Sequence, residues 1–404
     1  MTARGGRSSL GLRPRNRLRV LEALYRHPAS SRGELRRRTG LSRATVSALV
    51  DELVRGGVVA ETDDSAEDAP GIASRSAGRP PGRLSLVAGA GFAVGLDLGH
   101  QHIRVAVVDL AGHPVVDEWS AAEVDHAPLE NLDLAAELVS SGLREAGVDA
   151  AEVLGVGMGV AAPIDRRTGR LRAGPILPGW DGIEPAAEME RRLGLAVELD
   201  NDANLGALGE RAFGAGRGSE DFAYIRLSAG IGAGLILGGR PYHGAGGVAG
   251  EIGHVLSDPA GPVCRCGNRG CLEAVAGPVA VAAQVARGAG RPVTVADLLA
   301  LAAGGDRGAR EAIAGAGEAV GRAISTLVNL LNPELVVVGG DLAQTGAVLL
   351  DPIAVAIARH SVAPAAGAVT VCAGTLGARA EVLGAAALVL ARSPRALAER
   401  IAVS

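Results

Sequence analysis

His254 and the three cysteines that follow it carry the clearest chemistry in the chain. Gly253-His254 is followed by Cys264-Arg265-Cys266-Gly267-Asn268-Arg269-Gly270-Cys271. One imidazole and three thiolates complete a tetrahedral structural zinc site, and the interspersed glycines let so short a loop turn back around an ion. His254, Cys264, Cys266 and Cys271 are therefore expected to hold Zn2+. The alternative, reduced and unligated thiols, gives no reason to crowd them into a glycine-rich loop. Cys372 stands alone and reads as a core thiol. Four cysteines, three of them within eight positions, do not make a secreted disulfide framework and point to a reducing compartment.

A second chemistry lies in the amino-terminal charge. Residues 1–56 contain thirteen Arg against Glu22, Glu34, Asp51 and Glu52, a balance of +9, whereas the remainder carries −13. A head of that sign gains by neutralising phosphates and releasing their counterions, so double-stranded DNA is its expected partner; a solvated tail is the plainer alternative. Leu18, Leu21, Leu24 and Tyr25 fall on one face of a first helix, which Pro28 ends. Ser30 or Ser31 can cap a short helix through Glu34, Leu35 and Arg38, with Gly40 making the turn. Ser42 then caps a third helix, Arg43 to Arg55, that buries Val46, Leu49, Val50 and Leu53 and leaves Arg43, Thr45, Ser47 and Ala48 nearer the other face.

This pattern is a helix-turn-helix, with an ordinary helical hairpin as the alternative. Its second helix would enter the major groove and bring Ser42, Arg43, Thr45 and Ser47 to the operator. Val58 and Val59, the acidic loop from Glu61 to Asp68, and Arg83 to Val87 read as a wing. In the intervening Ala77-Gly78-Arg79-Pro80-Pro81-Gly82-Arg83, Arg79 is either a minor-groove contact or part of a plain linker.

The rest of the 404 residues must supply a framework for the zinc loop. The chain is 48% apolar and 21% charged, enough for two or three packed domains and unlike a wholly disordered chain. No apolar run approaches the roughly 18 residues of a membrane span, and the Arg-rich start lacks a secretory apolar stretch, so a cytoplasmic protein without membrane contact is expected. With 59 Gly but three Phe, three Tyr and two Trp, the core must be built from Val, Leu, Ile and Ala.

From Gly91 the pattern changes to strands. Phe92 to Leu98, the turn Gly99-His100-Gln101-His102, Ile103 to Leu110 and Pro114 to Trp119 form one unit. Phe222 to Leu227, Ser228-Ala229-Gly230-Ile231-Gly232, Ala233 to Leu237 and Pro241-Tyr242 repeat the arrangement. Two such units imply an old duplication, with two α/β lobes facing a ligand cleft. Leu331-Asn332-Pro333 and Glu334 to Gly340 read as helix end, strand and turn; Val320 to Leu331 and Ala380 to Arg392 read as Ala-rich helices able to serve core and subunit contacts. The expected division is a head at 1–87 and a two-lobed body at 88–404.

Several segments together resemble the ROK family (repressors, open reading frames and sugar kinases), and within it the transcriptional regulators. They are Gly246-Gly247-Val248-Ala249-Gly250-Glu251-Ile252-Gly253-His254, the cysteine loop ending Cys271-Leu272-Glu273, and Asp200-Asn201-Asp202-Ala203-Asn204 with Gly209-Glu210. Gly157 to Asp165 and Pro178-Gly179-Trp180 agree less specifically. The resemblance implies a winged helix followed by a sugar-kinase-like body of actin and hexokinase type.

It also implies a sugar site made by Asn201, Asp202, Glu251, His254 and Glu273. Alone, Asn201 and Asp202 would read as a helix cap, and Glu251 and Glu273 as surface residues. Carboxylates and an amide suit several pyranose hydroxyls, and the second ring nitrogen of His254 would face the sugar. In family kinases the residue matching Asp202 is the general base. The phosphate loops depart from the family, however: Asp97-Leu98-Gly99-His100-Gln101 stands for Asp-x-Gly-Gly-Thr, and Ser228-Ala229-Gly230-Ile231-Gly232 for Gly-Thr-Gly-Ile-Gly. Both lose a hydroxyl and a glycine where backbone must approach phosphate. Ala162 replaces a further glycine near the sugar. The expectation is a DNA-binding repressor, dimeric or tetrameric, controlled by a sugar or sugar derivative, with no ATP cofactor and Asp202 as a vestigial base; the alternative is an active ATP-dependent sugar kinase with an appended head.

Overall fold

The structure, a computed structural model, describes residues 11–62, 82–172, 174 and 176–403. Arg79 and most of the acidic loop lie outside the described residues. The head consists of α1 (Leu12–Arg26), α2 (Arg32–Thr39), α3 (Arg43–Arg55) and the antiparallel pair β1 (Val59–Thr62) and β2 (Arg83–Leu86). Ser31, not Ser30, caps α2: its hydroxyl accepts from Glu34 N–H while the Glu34 carboxylate accepts from Ser31 N–H at 2.7 Å. Ser30 instead donates to the His27 carbonyl and bridges Leu84 of the wing, tying β2 to the α1–α2 turn. The buried face of α1 is turned from the expected one. Val20 is buried and Leu18 only partly so, because the face also takes in Arg17.

Each lobe is built on a five-stranded sheet with the same connectivity. The first holds β3 (Phe92–Gly99), β4 (His102–Asp109), β5 (Pro114–Ala121), β6 (Val153–Val160) and β9 (Val197–Asn201), in the order β5-β4-β3-β6-β9. A small ribbon, β7 (Ile164–Asp165) and β8 (Arg170–Leu171), follows β6; α4 (Pro128–Ala146) and α5 (Pro185–Leu193) pack on the sheet around Leu132, Met158 and Trp180. The second holds β10 (Phe222–Leu227), β11 (Ile231–Leu237), β12 (Arg240–Pro241), β13 (Leu335–Gly339) and β14 (Thr370–Ala373), in the order β12-β11-β10-β13-β14. In both, an antiparallel meander is extended by two parallel strands, as a duplication requires.

The second sheet is covered by α7 (Leu272–Ala276), α8 (Pro278–Ala289), α9 (Val295–Ala303), α10 (Arg307–Leu331), α11 (Ala347–His360) and α12 (Ala363–Ala368). Helix α10 begins thirteen residues before the expected Val320, where Asp306 caps it by accepting from Ala309 N–H at 2.8 Å.

Two helices lie between the sheets, α6 (Asp202–Phe213) and α13 (Ala380–Leu390). A Cβ at Gly95 or Gly157 would collide with the carbonyls of Val382 and Ala385, so glycine in β3 and β6 lets α13 lie directly on the first sheet. Helix α13 leads into α14 (Ser393–Val403), which packs on α1. Val20, Leu21 and Leu24 of the head share one apolar core with Val382, Ala386, Leu390, Leu397 and Ala398. Arg17 Nη1 donates to the Ala398 carbonyl at 2.9 Å, and its other nitrogen pairs with Glu52 of α3.

Candidate functional site

The four expected metal ligands converge. Their donor atoms, on His254, Cys264, Cys266 and Cys271, all lie within 4.8 Å of one another. Cys264 Sγ is 3.7 Å from His254 Nδ1, and Cys266 Sγ is 3.7 Å from Cys271 Sγ. A tetrahedron with metal–sulfur bonds of about 2.3 Å has edges of about 3.8 Å, so the cluster fits a zinc-sized ion. The loop closes because Cys264 N–H donates to Asn268 and Gly267 N–H to Cys264, while Leu256 pairs with Cys271 across an antiparallel bridge. With Nδ1 turned to the thiols, His254 Nε2 points the other way, 3.8 Å from Glu251 Oε2.

That outward side is a pocket lined by Asn201, Asp202, Glu251, His254 and Glu273 together with Ala162, Arg226 and Arg265. Asn201 caps α6, its carbonyl oxygen accepting from Ala203 N–H at 3.0 Å, while its amide donates to Ala162 at 3.3 Å. The cap reading and the pocket position therefore coexist. Glu273 Oε2 accepts from Ile231 N–H at 3.0 Å, and Arg265 Nε lies 3.3 Å from Oε1. A Cβ on Gly230 would stand 2.5 Å from that Oε2, so glycine here admits a carboxylate of the protein itself. Burial, with Asp202 and Glu273 close by, pushes Glu251 up to about 7.

Asp200, whose role sequence reasoning missed, braces the site from behind. Its two oxygens take His243 at 2.8 Å, Arg166 at 3.1 Å, Asn201 N–H at 2.8 Å and the Asn204 amide at 3.0 Å. Burial alone would raise its pKa; the His243 contact and these hydrogen bonds hold it below the usual carboxylate range.

The second missed residue is Arg226. Its Nη1 lies 3.1 Å from Asp202 Oδ2, and Asp202 Oδ1 accepts from Ala203 N–H at 2.8 Å, so both oxygens of that carboxylate are engaged. Burial disfavours the Arg226 charge, but Asp202, Glu381 and Asp97 outweigh it and raise its pKa. Asp97, buried at the end of β3, accepts from His102 Nε2 at 2.9 Å; that hydrogen bond raises the His102 pKa against its burial. His100 Nδ1 meets Asp125 at 2.5 Å, and Ser228 Oγ accepts from Asp341 N–H at 3.3 Å. His100, Gln101, Ser228 and Ala229 line a neighbouring cavity of about 630 Å³ together with Trp119 and Arg104. The two cavities share His100 and Arg226 as a common wall.

In the head, Ser42 and Arg43 are exposed and Thr45 and Ser47 half-buried. Ser42 Oγ accepts from Thr45 N–H at 3.1 Å and lies 2.8 Å from its hydroxyl. Arg32 ties α2 to Asp51 at 3.0 Å and to Glu61 of the wing at 2.9 Å, and Arg13 and Arg17 pair with Glu52. Arg36, Arg37 and Arg43 are exposed and make no ion pair among the described residues.

Residues 93–392 match the sequence model of the ROK family. The chain belongs to the ROK family. Residues 10–69 match the MarR family, which agrees with the winged helix. A xylose repressor of Caldicellulosiruptor bescii is 30% identical over 80% of the chain and 82% of its own length. A crystal structure of a ROK family transcriptional regulator, a homologue of the Escherichia coli MLC protein, superposes with a TM-score of 0.78 over 97% of this chain and all of its own at 24% identity, a likeness of fold. A ROK glucokinase of Streptomyces griseus, solved with glucose and AMPPNP, gives a TM-score of 0.65 at 29% identity over 74% of this chain and 99% of its own. The ROK body is thus common to regulators and kinases, and the head to the regulator. No described helix is long and apolar enough to cross a membrane.

Proposed function

We infer that this ROK protein is a sugar-responsive, DNA-binding transcriptional repressor with a head at 1–87 and an effector-binding body at 88–404. The observation that carries the reading is the Arg226–Asp202 ion pair at 3.1 Å inside the sugar pocket of a chain that begins with a winged helix. Phosphoryl transfer needs a carboxylate free to take the sugar proton and a cradle open to the phosphates. Here Asp202 is held by Arg226, Asp97 by His102, and the Ile231 N–H by Glu273. Binding survives where chemistry does not: a sugar hydroxyl can still donate to these carboxylates.

The sugar is taken by Asn201, Asp202, Glu251, His254 and Glu273, and DNA by Ser42, Arg43, Thr45 and Ser47, with Arg79 reaching the minor groove. His254, Cys264, Cys266 and Cys271 would hold structural Zn2+, whose contribution when bound is to fix the loop and the tautomer of His254. The protein acts in the cytoplasm as a homodimer or homotetramer, since paired operator half-sites demand paired heads.

A sugar kinase with a DNA-binding head is the second reading, favoured by Asp202 within the pocket and by the likeness to the glucokinase solved with glucose and AMPPNP. A thermal-shift screen over D-xylose, D-glucose and N-acetyl-D-glucosamine, run beside a coupled ATP assay with an Asp202→Ala control, separates the two. The repressor reading expects a stabilising sugar without turnover. Rapid turnover that Asp202→Ala abolishes would reject it.

A further inference from the structure

Arg226 makes a second buried contact that holding a sugar does not require. Its Nε donates to Glu381 Oε1 at 3.0 Å, and Tyr224, two residues earlier on the same face of β10, donates its hydroxyl to the same oxygen at 3.1 Å. Asp202 is the first residue of α6 and Glu381 the second of α13. One side chain of the second sheet therefore fastens the amino-terminal ends of both helices that lie between the lobes. Helix α13 is itself seated on the first sheet at Gly95 and Gly157, and through α14 it shares a core with the head. Helix α13 also packs closely on α6, and Ala380 beside Glu381 shares a core with Phe222, Tyr224 and Val337 of the second sheet, so both lobes hold α13 and Arg226 adds the second lobe's charged grip on it.

We propose that Arg226 is the positioning residue of the sugar response, its grip on Glu381 changing when a sugar hydroxyl takes its place at Asp202. A sugar hydroxyl donating to Asp202 Oδ2 would share that oxygen with Arg226 and weaken the guanidinium's hold on it. A buried guanidinium whose hold on one carboxylate weakens leans more on its other partners, of which Glu381 is the one it already bonds, since a poorly paired buried charge is costly. Drawn more tightly to Glu381, Arg226 resets where the second lobe sits on α13. The head then stands differently relative to the second lobe, and the bond from Arg17 to Ala398, with the pairing of Arg17 to Glu52, carries the change to α3.

The proposal rests on the repressor reading, and its test separates the two. Operator fragments selected from a random pool by the full-length protein serve for measuring DNA affinity with and without saturating D-xylose, D-glucose or N-acetyl-D-glucosamine, while calorimetry follows sugar affinity. For wild type, the responsive sugar weakens operator binding by about 5–150-fold. Glu381→Gln keeps sugar affinity and sugar-free operator affinity within about twofold but loses the sugar effect to about twofold or less, whereas Tyr224→Phe, which removes only the neutral bond to the same oxygen, keeps the full effect. If Glu381→Gln does not fold, Arg226→Lys carries the test: a point charge cannot hold both carboxylates, and the sugar effect falls. A full effect in the charge variant that folds, or an equal loss in Tyr224→Phe, overturns the relay alone. A wild type indifferent to all three sugars overturns the repressor reading and the relay with it.

Discussion

Asp202 and Glu381 are the two carboxylates on which the account turns, and Glu381 carries a pH signature. It faces Arg226 and Tyr224 on β10, Asp97 on β3, His102 on β4 and Asp202 on α6. Its burial, reinforced by Asp97 and Asp202 and opposed by Arg226, pushes the carboxyl from its ordinary 4.5 to about 7. A group whose pKa rises on folding stabilises fully below its unfolded value and loses that contribution as pH climbs through the folded one. Between about pH 5 and about pH 8, wild type should therefore lose on the order of 2–3 kcal/mol relative to Glu381→Gln in urea unfolding; parallel curves would count against the charge cluster. His102, raised by Asp97, acts in the same sense. At the metal site, Cys264→Ser should bring bound zinc, read by mass spectrometry, below one ion per chain, and sugar affinity should fall with it because the His254 ring loses its anchor. The ligand set was legible in the sequence because its spacing is local. Arg226 and Glu381 were not: 155 residues separate them, and neither sits in a pattern that marks chemistry.

Helix α3 is where the sequence speaks most plainly about an element. Its cap, its limits at Arg43 and Arg55 and its four buried residues are those the periodicity predicts, because capping and amphipathicity are both written within one short stretch. Ser42→Ala should cost about 1 kcal/mol of stability through loss of the cap. Arg43→Ala should leave the melting temperature unchanged and weaken operator binding by about 1–3 kcal/mol, the worth of one bidentate base contact; gel-shift titration measures it, and an unaltered affinity would remove Arg43 from the interface. The start of α10 was hidden for a physical reason. Apart from the buried Ile313, its first half is built of Gly, Ala and exposed polar residues, so one large apolar side chain is too few to show a period before Val320. Similarly, the expected face of α1 missed Arg17, since nothing near Arg17 in the chain announces the carbonyl of Ala398 that makes its burial tolerable.

The duplicated meander in both lobes was readable from two strand–turn–strand patterns, and the five-stranded sheets repeat one order. How the head sits on the body was not readable, because the joint is made by α1 and α14 from opposite ends of the chain. On the proposed reading, that joint couples the two: a ligand that alters how the lobes close acts on the DNA-binding head, and by linkage operator acts back on ligand. The direct measurement is sugar affinity with and without saturating operator, set beside operator affinity with and without saturating sugar. The two ratios should be equal and should both report weakening. A sugar that stabilises the protein yet leaves operator affinity untouched would contradict the account.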